Sequence, residues 1–404
     1  MRASLYIHIP FCLQKCDYCG FYSLPLGDIS PRISLMCEHQ FESELNGTIE
    51  KFLNTLYNEI ILQIEYFCIT EIPTVYIGGG SPSILGCAYL KKLLCFINAI
   101  LPNRPDEFTV ELNPEFMNEE ILSVCKENNV NRTSIGIQSF NEQSRLSVGR
   151  ICSNDKIMHA LNLINTYFPN KYSADIISGL PFSDTIVDIK TLLQHNPAHI
   201  SLYDLTIEAG TPLEKKLMDK KIDMPAKEEA EDMWINCRTL LEQNGYGQYE
   251  VSNFCKENCR SIHNTRYWLM ENWIGAGPSA SGTIITNRNN NSKKTCGKRY
   301  SVKSDLRQYI NNKRNIIIED LNETILVKES LLMGFRYIDG PKAHLFYERF
   351  GFSIEEIIPH TIKKWRQRGL FEKRGISLTK DGLLLLNPFL NDCFAELEVC
   401  GDHT

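Results

Sequence analysis

YIHIPFCLQKCDYCGFYS, residues 6–23, runs from an apolar, strand-like start straight into Cys12, Cys16 and Cys19, a CxxxCxxC spacing. A structural zinc site takes four protein ligands, usually two pairs of cysteine or histidine, and no fourth ligand lies nearby. Disulfides need pairs and an oxidising compartment, whereas the 15 cysteines of this chain are an odd number. Most of them stand singly in apolar runs, as Cys68, Cys95 and Cys125 do, which is the pattern of buried thiols in a reducing compartment. Thiolates suit iron–sulfur clusters, and three on one tight loop hold three irons of a cubane while leaving the fourth open to a small molecule.

Outward from this loop, β-rich runs recur: SLYIHI (4–9), TVYIGG (74–79), FTVEL (108–112), RTSIGI (132–137), SADIIS (173–178) and HISLYDL (199–205). Each interval has room for a helix, and in NTLYNEIILQIEYF the residues Leu56, Ile60, Ile64 and Phe67 fall at helical spacing. Repeated strand–helix units predict an α/β fold with a parallel sheet, and six of them an open or partly closed barrel. The unusual segments CLQKCDYC, GGGSPS, ELNPE, IQSFN and SGLPF each follow a strand, where barrels of this type carry their chemistry. A further helix is expected at AKEEAEDMWINCRTLLEQ, then an irregular segment over 244–286, and a linker in the polar, Asn-rich stretch 287–300. Two helical patterns, a hairpin and a last helix over the final hundred residues predict a small winged-helix-like domain. The resulting division is 1–235, 236–300 and 301–404.

A chain of 404 residues exceeds what one hydrophobic core fills, which agrees with more than one domain. The net charge of −6 gives no overall reason to approach nucleic acid, and Lys363, Lys364, Arg366 and Arg368 read as a solvated basic face. MRASLYIHIPFC lacks a signal-peptide core, and the apolar run IILQIEYFCITEIPTVYI is interrupted by Gln63, Glu65 and Glu71, so a cytoplasmic protein without a membrane span is expected.

CxxxCxxC after a first strand, with Tyr18 ahead of its last cysteine, resembles the radical S-adenosylmethionine (SAM) superfamily. YIHIPFCxxxCxYCxF, GGGSPS, ELNPE, RTSIGIQSFN, VGR, DIISGLPF, LYDLTIEAGTPL, YEVSNF, HNTRYW and GAGPSAS also occur in the order found in the family of oxygen-independent coproporphyrinogen III oxidase and its HemW-type relatives. The resemblance covers essentially the whole chain. It implies a partial (β/α)6 TIM-like radical SAM barrel with a small C-terminal winged-helix-like α+β domain, and a 4Fe-4S cluster on Cys12, Cys16 and Cys19. It implies that Tyr6, Gly79, Gly80 and Ser81 contact S-adenosyl-L-methionine, and matches Glu111, Gln138, Arg150 and Asp175 to further ligand-contacting positions. Those residue types suit the task, because glycines at a strand end permit close approach and carboxylate, amide and guanidinium groups can hold an ammonium, a ribose and a carboxylate. The reaction implied is reductive cleavage of the sulfonium to methionine and a 5'-deoxyadenosyl radical; no catalytic side chain is singled out.

Two functions share this framework. The oxidase branch carries an extra cysteine two residues after the third cluster cysteine and an extension ahead of the cluster strand; here Phe21 holds that position and the strand begins at the terminus. Both features resemble the HemW branch, which implies a haem chaperone serving haem-accepting, respiratory, membrane-associated proteins, with an electron donor for the cluster and no nucleic acid. The alternative is decarboxylation of coproporphyrinogen III in porphyrin biosynthesis. HNTRYW resembles the HNxxYW motif of that branch, which makes His263 the expected axial ligand of haem. Cys255, Cys259 and His263 would share one face of a helix, either as a second soft-metal site or as incidental thiols beside a loop.

Overall fold

The computed structural model describes residues 1–25, 38–287, 294–313 and 316–401. Six parallel strands form its spine: β1 (Ser4–Ile9), β2 (Thr74–Gly79), β3 (Glu107–Leu112), β4 (Arg132–Gln138), β5 (Tyr172–Ser178) and β6 (His199–Asp204). They lie side by side in chain order. Between them run α1 (Glu38–Tyr66), α2 (Gly86–Ile100), α3 (Glu119–Glu127), α4 (Asn154–Tyr167) and α5 (Thr185–Leu193), and α6 (Lys227–Gln243) follows β6. Each strand matches an apolar run read from the sequence to within a residue or two at its ends. Buried on both faces, such strands read as near-continuous Val, Ile and Leu. Short polar caps start the crossovers: the side chains of Asn118, Ser153 and Asp184 accept main-chain N–H groups in the first turns of α3, α4 and α5.

The segment 244–286, expected to be irregular, instead extends this sheet. β7 (Gly247–Gln248) and β8 (Asn253–Cys255) add beyond β6, and β9 (Trp273–Ala276) pairs parallel with β1 on the other side. β10 (Ser281–Thr286), β11 (Cys296–Val302) and β12 (Ile316–Leu321) continue antiparallel from β9, making twelve strands in all. These strands leave no long apolar run in the sequence because they are short or carry exposed polar residues on an antiparallel ladder. The linker expected over 287–300 falls partly outside the described residues, and 296–300 lies within β11. α6 crosses the expected division at 235, and β9 to β12 share one sheet with β1.

Two apolar cores result. The larger fills the space between the strands and α1 to α6, including Leu56, Ile60, Leu94, Ile135 and Leu241. The smaller, built from Leu326, Phe335, Phe350, Ile362, Trp365 and Phe389, belongs to the C-terminal helices between Glu323 and Gly401. The hairpin expected there is reduced to one antiparallel bridge, Phe371 to Leu378. Pro82–Ile100 has a mean hydropathy of 1.5 and the length to cross a membrane, yet Leu90, Leu93, Leu94 and Ile97 on it pack into the larger core.

One short helix closes the N-terminal end of the barrel. Ile262–Trp268 begins beside Glu107, the first residue of β3, whose carboxylate accepts the N–H groups of Ile262 and His263, each at 2.9 Å. A buried carboxylate satisfies two donors that the helix cannot satisfy itself, and opposes the positive end of its dipole. Glu107→Ala strands those donors, and a loss of about 1–3 kcal/mol is expected in denaturant unfolding, with iron content after reconstitution unchanged.

Candidate functional site

The opposite, C-terminal end of the strands opens into a cavity of about 380 Å³. Cys12, Cys16 and Cys19 line it from the loop after β1, Gly79 and Gly80 from the end of β2, and Glu111 from the end of β3. Gln138 enters from the end of β4, Arg150 from the segment after it and Asp175 from β5. Nine of the twelve residues picked from the sequence therefore meet in one place, although they are spread over some 160 positions of chain.

The cysteine loop is seated by main-chain bonds. Gly80 N–H donates to Ile9 O at 2.8 Å and Ser81 N–H to Phe11 O at 2.7 Å. Glycine is required there because a Cβ on Gly80 would lie 2.3 Å from Phe11 O. At Gly79, with φ at +105°, a Cβ would lie 2.5 Å from the His8 ring. The glycine turn thus makes room for the chain's own loop as well as for any ligand. His8 completes the seat: the Tyr22 carbonyl can only accept, so His8 Nε2 donates to it at 2.7 Å and Nδ1 accepts from the Tyr6 hydroxyl at 3.0 Å. Tyr6 accordingly braces the loop from below, outside the cavity lining, and Ser81 turns its hydroxyl to Ser83, 3.1 Å away. His8, Tyr22 and Tyr76 were not picked from the sequence; an inward-facing polar residue on an otherwise apolar strand, as His8 is, was the available signal.

Burial pushes the Cys12, Cys16 and Cys19 thiols up, so they stay protonated until a metal draws the protons off. Among the described residues no three His, Cys, Asp or Glu side chains converge on one point. A cubane does not ask for that, because its three thiolates hold three different irons. The donor set, one soft-ligand loop on a cavity wall, fits such a cluster.

The polar wall opposite carries acidic and basic side chains close together. Glu111 accepts from Tyr76 O–H at 2.6 Å and Gly79 N–H at 3.1 Å. Burial, helped by the neighbouring Asp175, lifts its carboxyl to about 7. Burial also raises Asp175, although Ser134 donates to it at 3.1 Å. Arg150 donates to Gly136 O at 2.8 Å and faces Glu115 at 3.5 Å, while its buried Nε has no protein partner. Gln138 sits at φ +73°, where the register of β4 against β5 shifts, a strained backbone that turns its amide toward the cavity.

His263 lies elsewhere. It is 1% exposed on the short helix at the barrel floor, with Nδ1 2.8 Å from Thr74 Oγ1 and Nε2 2.8 Å from the Tyr267 hydroxyl. Thr74 and Gly79 are opposite ends of β2, about 17 Å apart at the rise of a strand. Burial drives the imidazole down to about 3, so it is neutral with both nitrogens engaged. In this state it offers nothing to a haem iron, contrary to the expectation from its motif. Nor do Cys255, Cys259 and His263 share a helix: Cys255 is in β8, Cys259 in the turn after it, and His263 in the following helix. Every described cysteine is a free thiol.

Gly80→Ala is expected to displace the loop rather than unfold the barrel. Iron and sulfide analysis after anaerobic reconstitution should show most of the cluster lost while the far-ultraviolet spectrum is kept; full cluster content would contradict the seating described.

The Radical SAM superfamily profile matches residues 6–193. The heme chaperone HemW of Bacillus subtilis is 29% identical over 98% of this chain and 100% of its own length. The heme chaperone HemW of Buchnera aphidicola subsp. Schizaphis graminum is 30% identical over 96% of this chain and 97% of its own. The solved structure of coproporphyrinogen III oxidase (HemN) from Escherichia coli, described as a radical SAM enzyme, superposes with a TM-score of 0.76 at 18% identity, covering 97% of this chain and 90% of that one, which shows a shared fold. With the fold shared end to end and the heme chaperones matched over nearly their whole length, the chain belongs to the radical SAM superfamily, in the HemW family.

Proposed function

We propose that this chain is a haem chaperone of the radical SAM class, which carries a 4Fe-4S cluster and S-adenosyl-L-methionine at the C-terminal mouth of its barrel and passes haem to acceptor proteins. The observation that carries the reading is the pairing of that cavity with end-to-end similarity to two heme chaperones. Cys12, Cys16 and Cys19 would hold the cluster, which when reduced supplies the electron that cleaves the sulfonium. Glu111, Gln138, Arg150 and Asp175 would bind and orient the SAM, with Arg150 Nε the unpartnered donor for an anionic group and Glu111 the acceptor for a cationic one. Gly79 and Gly80 keep the floor of that site shallow, and Tyr6 acts through His8.

At the position where the oxidase branch places its additional cysteine stands Phe21, 66% exposed at the cavity rim. A phenyl ring can neither donate a proton nor take part in redox chemistry, and an exposed aromatic is suited to touching a planar apolar ligand or another protein. This residue favours haem handling over decarboxylation. The haem-accepting partner and the reductant are external proteins, and an acceptor at the membrane fits a chaperone for respiratory enzymes.

The test is an anaerobic assay on the reconstituted protein. Haem should give a Soret band and move to an apo-acceptor, while coproporphyrinogen III with SAM and reductant should yield no decarboxylated product. Protoporphyrinogen formation would make the protein an oxidase. In the same assay His263→Ala should retain the Soret band and lower the melting temperature, because the variant leaves Thr74 and Tyr267 without their buried partner. Loss of the band from a folded variant would restore His263 as the haem ligand, reached through an opened barrel floor.

The Glu111 carboxyl sets a pH dependence. Its folded value lies above that of an unfolded glutamate, so the neutral form is favoured and ligand-free stability declines as pH rises from about 4.3 through about 7. A bound ammonium prefers the ionised form. The thermal shift given by SAM should therefore grow as pH passes about 7 in the wild type, and be small and flat in Glu111→Gln.

A further inference from the structure

The loop that carries the three cysteines is held by a second set of contacts, from the chain beyond β6. Thr211 caps the helix Pro212–Met218, its hydroxyl accepting from Glu214 N–H at 3.3 Å, and Pro212 takes the first position, where no N–H is needed. Leu213 is fully buried on this helix and packs with Val148, Ile177 and Leu180, against which Tyr18 of the cysteine loop also rests. The Leu213 N–H, one of the first-turn donors that a helix cannot satisfy itself, donates to Asp17 O at 3.0 Å. Asp17 N–H in turn donates to Val148 O at 2.9 Å. The middle of the cysteine loop is thus strung between this helix and the turn 147–150, which ends in Arg150. Ahead of the helix, Glu208 presses on the end of the loop, where a Cβ on Gly20 would lie 2.5 Å from Glu208 Oε2.

Lys216 stands where the three segments meet. Its Nζ donates to Asp17 Oδ2 at 2.6 Å and to Ser147 O at 3.0 Å. Gly149, at φ +72°, comes up against the same carboxylate, and a Cβ there would lie 3.2 Å from both of its oxygens. We propose that Lys216 is a positioning residue, which locks Asp17 to the turn 147–150 and so fixes Cys16 and Arg150 relative to one another. Asp17 directly follows Cys16, Arg150 directly follows Gly149, and the Arg150 guanidinium faces Cys16. On the reading of Cys12, Cys16 and Cys19 as cluster ligands and of Arg150 as a SAM contact, this lock sets the spacing between the cluster wall and the polar wall of the cavity. The effect shows in placement rather than in stability. Lys216 and Asp17 keep side-chain exposures of 38% and 16%, and an ion pair open to solvent on one side adds little to global stability. A charged donor that bridges two oxygens on different segments does fix their geometry.

Amide hydrogen exchange of the full-length protein before reconstitution, and SAM binding after it, test the lock separately. Lys216→Met keeps the aliphatic stem and removes both hydrogen bonds. Exchange at the Asp17 and Leu213 amides should quicken by roughly tenfold, and SAM should bind the reconstituted variant about tenfold more weakly, with the cluster still taken up and the melting temperature within about 2 °C of the wild type. Lys216→Arg, which can donate to both oxygens, should return both readouts to wild-type values. A Lys216→Met variant whose two amides exchange as in the wild type, or one that binds SAM as tightly as the wild type does, would overturn the proposal. A wild type that takes up no cluster would instead sink the cofactor reading, while faster exchange in Lys216→Met would still support the lock.

Discussion

Two main-chain hydrogen bonds, Gly80 N–H to Ile9 O and Ser81 N–H to Phe11 O, tie the turn after β2 to the loop after β1, and the site is organised around them. They demand that backbone approach backbone without an intervening Cβ, which is why the turn is glycine. From that contact the cysteines are set on one wall of the cavity, and the Gly79 N–H is aimed at Glu111 on the facing wall. Supporting the loop from beneath, the Tyr6–His8–Tyr22 chain converts an inward-facing pair on β1 into a brace for the residues just after Cys19.

The two ends of the barrel are chemically different. At the C-terminal end, titratable groups are buried yet left with spare valence: Glu111 lifted to about 7, Asp175 raised beside it, and Arg150 with an unpartnered Nε. Buried titratable groups with raised carboxyls and a spare donor, gathered on one cavity wall, are the kind of arrangement a ligand completes. At the N-terminal end several buried polar groups bond one another. Glu107 caps the short helix, His263 bonds Thr74 and Tyr267, and Ser173 and Tyr249 hold His199 through both ring nitrogens. That end is a plug.

Much of the fold was legible because parallel strands buried on both faces leave a continuous apolar signature, and all six barrel strands showed it. β7 to β12 did not, since short or half-exposed antiparallel strands carry little of that signal; the Asn-rich composition near β11 further disguised it. The cavity was legible through motif order, whereas His8, Tyr22 and Tyr76 were missed because they act by holding other residues. His263 shows the opposite case. Its motif marked it as a ligand, but a histidine followed by aromatics is equally the pattern of a buried, hydrogen-bonded ring.

Sequence by itself determined the soft-ligand loop, the order of the strand-end motifs and the family, because these depend on residue type and spacing along the chain. Only the tertiary structure decided which of those residues share a cavity. Facing ends of β1 to β6 bring Cys12 and Asp175 together across more than 160 positions, while the length of β2 holds His263 at the far end. Spacing along a chain records local chemistry; direction, burial and distance between segments arise only when the sheet forms.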